Sequence, residues 1–178
     1  MDTLGEFFRY NHWANARVFK VCERADAALL EMDAGGTNGT VLSTLAHMVS
    51  VSEAFAAIIA PVAAGPGSAP DLLVTPGGLA EGYFDHELSW YGEREAYLDA
   101  FFTGLVAGGD VQRLQTSVEV PWLGFEIPVQ QALMQVLVHC GHHRSQVFSA
   151  LGAQGVKVPD LDYIVMLAKE RKEAQAPA

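Results

Sequence analysis

The chain has few of the residues that would tie it to an oxidising compartment or to a nucleic acid. Its only two cysteines, Cys22 and Cys140, form no CxxC pair, so we expect a reducing compartment and no disulfide framework. It has 11 lysines and arginines against 21 acidic residues, for a formal net charge of -10. Because phosphate binding needs a basic face, this balance argues against nucleic acid or an anionic membrane surface as the main partner.

We expect no secretory leader, and long uninterrupted apolar runs are few. The N-terminal MDTLGEFFRYNHW has an acidic second residue and no basic-then-apolar layout, so it does not resemble a secretory signal. His, Ser or Glu interrupts the longest apolar stretches before they reach the roughly 18 to 20 residues needed to span a bilayer. We therefore expect a cytoplasmic protein that is not inserted in a membrane.

Apolar residues at helical spacing are what the chain has in quantity. The chain has 178 residues, of which 50% are hydrophobic. We expect residues 1–178 to form a single domain with a substantial core. The spacing of these residues predicts four long helices and one short C-terminal helix. Their expected bounds are 3–28, 40–60, 83–106 and 128–154, with the short helix at 161–173.

Helix breakers separate these segments. Asp2 is suited to cap the first helix, and Pro61 is expected to end the second. Residues 61–82 are rich in Pro and Gly and predict a long surface connection. β-branched residues within 116–128 predict a short hairpin. The expected fold is all-α: an antiparallel four-helix bundle with a short C-terminal helix and a small hairpin excursion.

Three histidines lie at the edges of the predicted apolar stripes. His139 and His143 are four residues apart, about 40° around a helix axis, which lets two imidazoles reach one ion. His47 has the same relation to the stripe of the second helix. Three imidazoles would leave a position open on a divalent ion. The spacing alone also fits unrelated structural or solvent-facing histidines, and His142 would replace His143 if the helix were rotated.

Gln146 is a candidate for the surroundings of such a site. It lies two turns beyond His139 on the same side of the helix. From there it could hydrogen-bond His143 or a metal-bound water. A plain polar residue at the mouth of the bundle is an equally good interpretation.

Other residues have simpler expected roles. Arg144 is expected to form a structural ion pair with an acidic residue such as Glu53 rather than to contact substrate. Trp13 and Trp122 are candidate pocket walls, with a core position the commoner fate of Trp13. Cys140 lies in the apolar stripe and is expected to be a small core residue.

Four segments together resemble the DinB/YfiT-like superfamily. YNHWAN at 10–15 resembles the superfamily's first-helix pattern Y-N-x-W-x-N. LAHM at 45–48 resembles its second helix, and HCGHHRSQ at 139–146 resembles its H-x-x-H-H-R-G-Q motif. PDLDYI at 159–164 is similar to its closing P-D-x-D-x-[LI] segment. The four segments occur in the superfamily's order and span nearly the whole chain.

The resemblance implies a four-helix bundle, usually dimeric, with one divalent metal ion. The metal ligands it implies are His47 of the second helix together with His139 and His143, which are the first and last histidines of the final motif. Ser145 replaces the usual Gly of that motif, on the far side of the helix from the ligand pair, so we expect little effect on the metal. The high apolar content also agrees with a homodimer.

The resemblance also implies a type of reaction. Relatives include transferases that use low-molecular-weight thiols such as bacillithiol or mycothiol, and a thiol-dependent isomerase. We therefore expect thiol S-transfer to a small electrophile, with metal-bound water or thiolate as the reactive group. A metal-dependent hydrolase and a non-catalytic metal or small-ligand binding protein of the stress response are the alternatives. Zn or Ni suits three imidazoles best, and Fe or Cu is also compatible.

Overall fold

Helices make up most of the structure, a computed structural model that describes residues 3–63, 70–75, 78–107 and 110–175. The long helices are α1 (Thr3–Cys22), α3 (Val41–Ala63), α4 (Leu88–Ala107) and α6 (Val129–Ala153). The short helices are α2 (Ala27–Leu30), α5 (Val111–Gln115) and α7 (Tyr163–Gln175). The prediction of an all-α bundle with a C-terminal helix is confirmed.

Several helix boundaries differ from those expected. Pro61 does not end the second long helix, since α3 continues through it to Ala63. So close to the helix end, proline removes a single backbone hydrogen bond and its fixed φ still suits the helix. A separate 3₁₀ turn at Tyr83–Asp85 precedes α4. The turn stays separate because His86 is extended. Asp2, the expected cap, lies outside the described residues.

The predicted hairpin is present. β3 (Ser117–Val120) pairs antiparallel with β4 (Phe125–Pro128). Gly124 has a φ of 70° in the connecting turn, a conformation that favours glycine. A second small hairpin, β1 (Val74–Thr75) with β2 (Gly78–Leu79), lies in the segment expected to be only a surface connection.

The four long helices form a ring in which α1 and α3 each lie between α4 and α6. His47 contacts His139, while Ala54 and Ile58, later in α3, line one cleft with Gln135 and Gln131, earlier in α6, so α3 and α6 run antiparallel. Phe8 of α1 stacks on Phe102 of α4, with ring centroids 5.5 Å apart.

Each fully buried apolar side chain contributes about 1.5–3 kcal/mol to stability. The largest are Phe8, Leu45, Met48, Ile59, Tyr91, Leu98, Phe102, Leu133, Leu151 and Met166.

One helix is more apolar than the sequence reading allowed. Residues Val41–Val62 of α3 are long and apolar enough to cross a membrane by length and composition, which corrects the expectation that no such stretch exists. Most of this stretch is buried inside the bundle. A helix that packs against neighbours on more than one side has apolar residues on most of its faces. α3 is such a helix, because it packs against both α4 and α6.

A buried ion pair fastens the connection after α3 to the bundle. Glu53 is fully buried and accepts a hydrogen bond from Arg94 Nε at 2.6 Å. The same carboxylate accepts from the backbone N–H of Leu73 at 2.6 Å. Arg94 also donates to the carbonyl oxygen of Asp71, whose backbone N–H donates to the Tyr97 hydroxyl at 2.7 Å. Glu53 and Arg94 therefore fix the position of residues 70–75.

We expect Glu53→Gln to lower the free energy of unfolding by about 3–5 kcal/mol, because it leaves the largely buried Arg94 charge without its partner. The matched control is Glu6→Gln, since Glu6 pairs with Arg9 and both side chains are about 30% exposed. An exposed pair of this kind contributes about 0–1 kcal/mol. Urea unfolding followed by circular dichroism measures both. Equal losses in the two variants would contradict the structural role of Glu53.

Candidate metal centre

The structure brings His47, His139 and His143 together. α3 presents His47, and α6 presents the other two from successive turns. His139 Nε2 lies 3.2 Å from His47 Nε2 and 3.1 Å from His143 Nε2. One ligand nitrogen from each ring thus falls within 4.8 Å of the others.

This convergence fits a bound cation better than hydrogen bonding among the rings. An imidazole Nε2 offers either one proton or one lone pair, so His139 cannot hydrogen-bond fully to both neighbours. Nitrogens held at about 2.0–2.1 Å around a tetrahedral ion lie about 3.4 Å apart. The observed separations are close to that value, and the cluster could hold a divalent metal ion.

The protein keeps these three rings neutral. Burial lowers the pKa of His47 and of His143 below the ordinary value. For His139, burial and then the neighbouring imidazoles lower the pKa to about 3. Since only a neutral imidazole can coordinate a metal, the site presents the binding form of all three side chains at neutral pH.

Gln146 sets the orientation of one ring. His143 Nδ1 donates to Gln146 Oε1 at 2.7 Å, which leaves the Nε2 lone pair free to face the other histidines. Gly36 lies against the Gln146 amide: a Cβ at position 36 would come within 2.5 Å of Gln146 Nε2. The loop before α3 therefore helps to hold Gln146. Of the arrangements expected for this residue, the hydrogen bond to His143 is the one present.

One ring nitrogen of the cluster lacks the outer hydrogen bond expected of a metal ligand. His139 Nδ1 is buried, and the described part of the chain supplies no hydrogen-bond partner for it. Metal-binding imidazoles usually donate their second N–H to an outer partner. His142 is exposed and lies outside the cluster, so the structure favours His143 over the alternative assignment.

Arg144 does not pair with Glu53, and that expectation was wrong. Arg144 is buried and donates from Nη1 to the side-chain oxygens of Asn11, at 2.6 Å, and Asn15. The reason lies in the order of the helices around the ring. α6 lies between α3 and α1, and Arg144 faces α1. Glu53 instead meets Arg94 on the other side of the bundle.

The two asparagines link Arg144 to a carboxylate pair that the sequence reading missed. Asn11 Nδ2 donates to Asp99 at 3.0 Å, and Asn15 Nδ2 donates to Glu95 at 2.7 Å. Burial, and then the Asp99 charge, raises the pKa of Glu95 well above its usual range. Two acids at i, i+4 on the inward face of a helix were the available sequence signal.

The remaining candidates lie apart from the histidines. Trp13 packs against Arg17, whose guanidinium carbon is 3.8 Å from the ring centroid, and against Lys169. It is not brought to the three-histidine cluster. Cys140 is fully buried, with Sγ 3.5 Å from Ser52 Oγ, as expected of a core residue. Trp122 does line a cavity, where it packs edge-on against Phe55 with ring centroids 5.5 Å apart.

A cleft of about 1030 Å³ opens beside the cluster. It lies between α3, α6 and the two hairpins. Ser50 and Gln135 line it, one helical turn from His47 and His139 respectively. The end of the cleft at Ser50 and Gln135 therefore lies near the three histidines.

We expect His143→Ala to remove most of the affinity for Zn²⁺ and to leave the helical fold largely intact, because the core does not depend on the cluster. His142→Ala is the matched control, since it removes an adjacent but exposed imidazole and should change affinity little. Competitive Zn²⁺ titration with a chromophoric chelator, alongside circular dichroism, measures both effects. Loss of binding in the His142 variant alone would reverse the assignment.

The lowered pKa values also predict how the metal-free protein responds to acid. An unfolded histidine titrates near pH 6.5, so below that pH the unfolded state binds protons that the folded state excludes. Stability should fall as pH drops from about 6.5 towards the folded pKa, which is about 3 for His139. His139→Gln should flatten this dependence between pH 7.5 and 5.

Urea midpoints measured across that range provide the test, with His142→Gln, at an adjacent exposed histidine outside the cluster, as the control. A wild-type slope in the His139 variant would show that this imidazole is not protected from protonation in the folded state.

The family model described as DinB family matches residues 1–175, a range that includes all three histidines and their supporting residues. No curated protein matches the chain. Since the match covers nearly all of the sequence, the chain belongs to the DinB family.

Proposed function

We propose that the protein is a divalent-metal-dependent enzyme that transfers a low-molecular-weight thiol to a small electrophile. The observation that carries the proposal is the convergence of three neutral imidazoles one helical turn from a large cleft. A metal held by protein ligands on one side, with a cavity on the other, is the usual arrangement of a catalytic rather than a structural site.

His47, His139 and His143 would hold the ion. When bound, it supplies Lewis acidity that favours a thiolate over a thiol at neutral pH. Zn or Ni suits the donor set best, with Fe and Cu also compatible. Gln146 keeps the His143 ring turned with Nε2 inward. We place the protein in the cytoplasm, where low-molecular-weight thiols stay reduced.

The reaction is a substitution at carbon. The thiol loses its proton to solvent, its sulfur forms a bond to the electrophilic carbon, and the bond from that carbon to the leaving group breaks with its electron pair. The protein contributes a fixed site for the ion and a cleft that holds the electrophile beside it. Holding the two reactants in one geometry is itself a large part of catalysis.

The competing functions are a metal-dependent hydrolase and a protein that only sequesters a metal or small ligand. Among the described residues the cluster has three donors and no fourth His, Cys, Asp or Glu, which leaves room for substrate on the ion. Sequestration needs no cavity next to the ion. The cleft beginning at Ser50 and Gln135 therefore favours an enzyme over a storage protein.

The test is elemental analysis of protein purified without a metal-affinity tag, followed by a conjugation assay. Bacillithiol, mycothiol and glutathione would each be offered with 1-chloro-2,4-dinitrobenzene, and the thioether product followed by absorbance. We expect metal-dependent conjugation with at least one thiol, lost in His47→Ala and retained in His142→Ala. Metal-dependent ester hydrolysis without conjugation would instead indicate the hydrolase. Tight metal binding with neither activity would indicate sequestration.

A further inference from the structure

The cleft continues the faces of the two helices that carry the histidines. On α3, residues three and four apart share one side of the helix, and the cleft is lined by Ser50, Ala54 and Ile58, which follow His47 at this spacing. On α6, Gln131 and Gln135 precede His139 at intervals of four. The cleft therefore begins one helical turn from the cluster, in a groove between α3 and α6.

The lining of this groove has a definite chemical character. Among the described residues, no Asp, Glu, Lys or Arg lines it, although the chain has 21 acidic and 11 basic residues. Its polar side chains are Ser50, Gln131 and Gln135, of which Ser50 and Gln135 lie at the histidine end. The far end is apolar. A charged ligand would lose its hydration there without gaining a partner, which is unfavourable by several kcal/mol.

The walls of the cleft are held in place. Phe55 is buried in α3, and its ring packs edge-on against the Trp122 ring. On the opposite side, Val74 and Leu79 line the cleft from the β1–β2 hairpin, which follows the segment fastened by Glu53 and Arg94. The volume of about 1030 Å³ lies at the upper end of the roughly 300–1,000 Å³ typical of small-molecule sites.

We propose that this cleft binds the uncharged, apolar part of an organic electrophile and selects which substrates reach the histidine cluster. The inference rests on the proposed function, whose substrate class it specifies. Ser50 and Gln135 accommodate the polar reactive end next to the histidines, while Trp122 and Ile58 surround the apolar end. Substrates with a carboxylate or phosphate at the far end are excluded by the lack of a charged partner.

Direct binding tests the cleft separately from catalysis. The uncharged fluorescent probe N-phenyl-1-naphthylamine would be titrated into full-length protein with and without Zn²⁺. We expect saturable one-to-one binding in both states. Ala54→Lys, which places a charge on the cleft floor, should weaken it at least about tenfold. The matched control Ala96→Lys, on the exposed face of α4, should bind as wild type.

Competition tests whether the cleft prefers uncharged ligands. A second cleft variant is included in case Ala54→Lys does not fold. 1-Decanol should displace the probe at concentrations where decanoate does not. Trp122→Ala removes an exposed wall residue without altering the core and should also weaken binding. Circular dichroism and thermal melts show whether each variant is folded.

Equal probe affinity in Ala54→Lys, Trp122→Ala and wild type would overturn the proposal, as would equal displacement by decanoate. A dimer in light scattering that Ala54→Lys and Trp122→Ala both convert to a monomer would also overturn it, because a second copy of the chain would then cover the cleft. Probe binding with the expected pattern but no thiol conjugation would refute the proposed reaction and retain the cleft as an apolar ligand site.

Discussion

The antiparallel packing of α3 on α6 is the contact on which the site depends. It places His47 opposite His139, while Ala54, later in α3, and Gln135, earlier in α6, line the same cleft. A slip of one helical turn would move these side chains by about 5.4 Å relative to one another, more than the separation of the Nε2 atoms. The fully buried Leu45 and Leu133 make such a slip costly, because close-packed interiors do not deform gradually.

The other side of α6 is held by polar contacts instead. Arg144 reaches two asparagines of α1, which in turn donate to Asp99 and Glu95 of α4. A buried charge is tolerated only where its hydrogen-bonding groups are satisfied, and here one guanidinium and two carboxyl groups share two amides. α6 is thus fixed by apolar packing towards α3 and by directional bonds towards α1, which limits its rotation and keeps His139 and His143 facing His47.

The difference between the apolar contacts of α6 with α3 and its polar contacts with α1 explains which features could be predicted from sequence. Helical periodicity placed the long helices and put His47, His139 and His143 at the edges of apolar stripes, since both follow from the 3.6-residue repeat. Periodicity carries no information on which helices are neighbours around the ring, so Arg144 was assigned to the wrong partner. The carboxylate pair was missed for a related reason: acids on a helix are normally solvated, and only tertiary packing buries Glu95.

The metal cluster and the cleft depend on the same property of the groove. Burial lowers the pKa of His47, His139 and His143, and the described residues that line the adjoining cleft are uncharged. In water a proton would compete with the metal ion for each imidazole near pH 6.5, and an apolar electrophile would gain nothing by leaving solvent for a charged surface. Between α3 and α6 the low polarity favours the metal-binding form of the histidines and an apolar ligand together. The metal ligands and the proposed substrate cleft therefore share one environment of low polarity between α3 and α6.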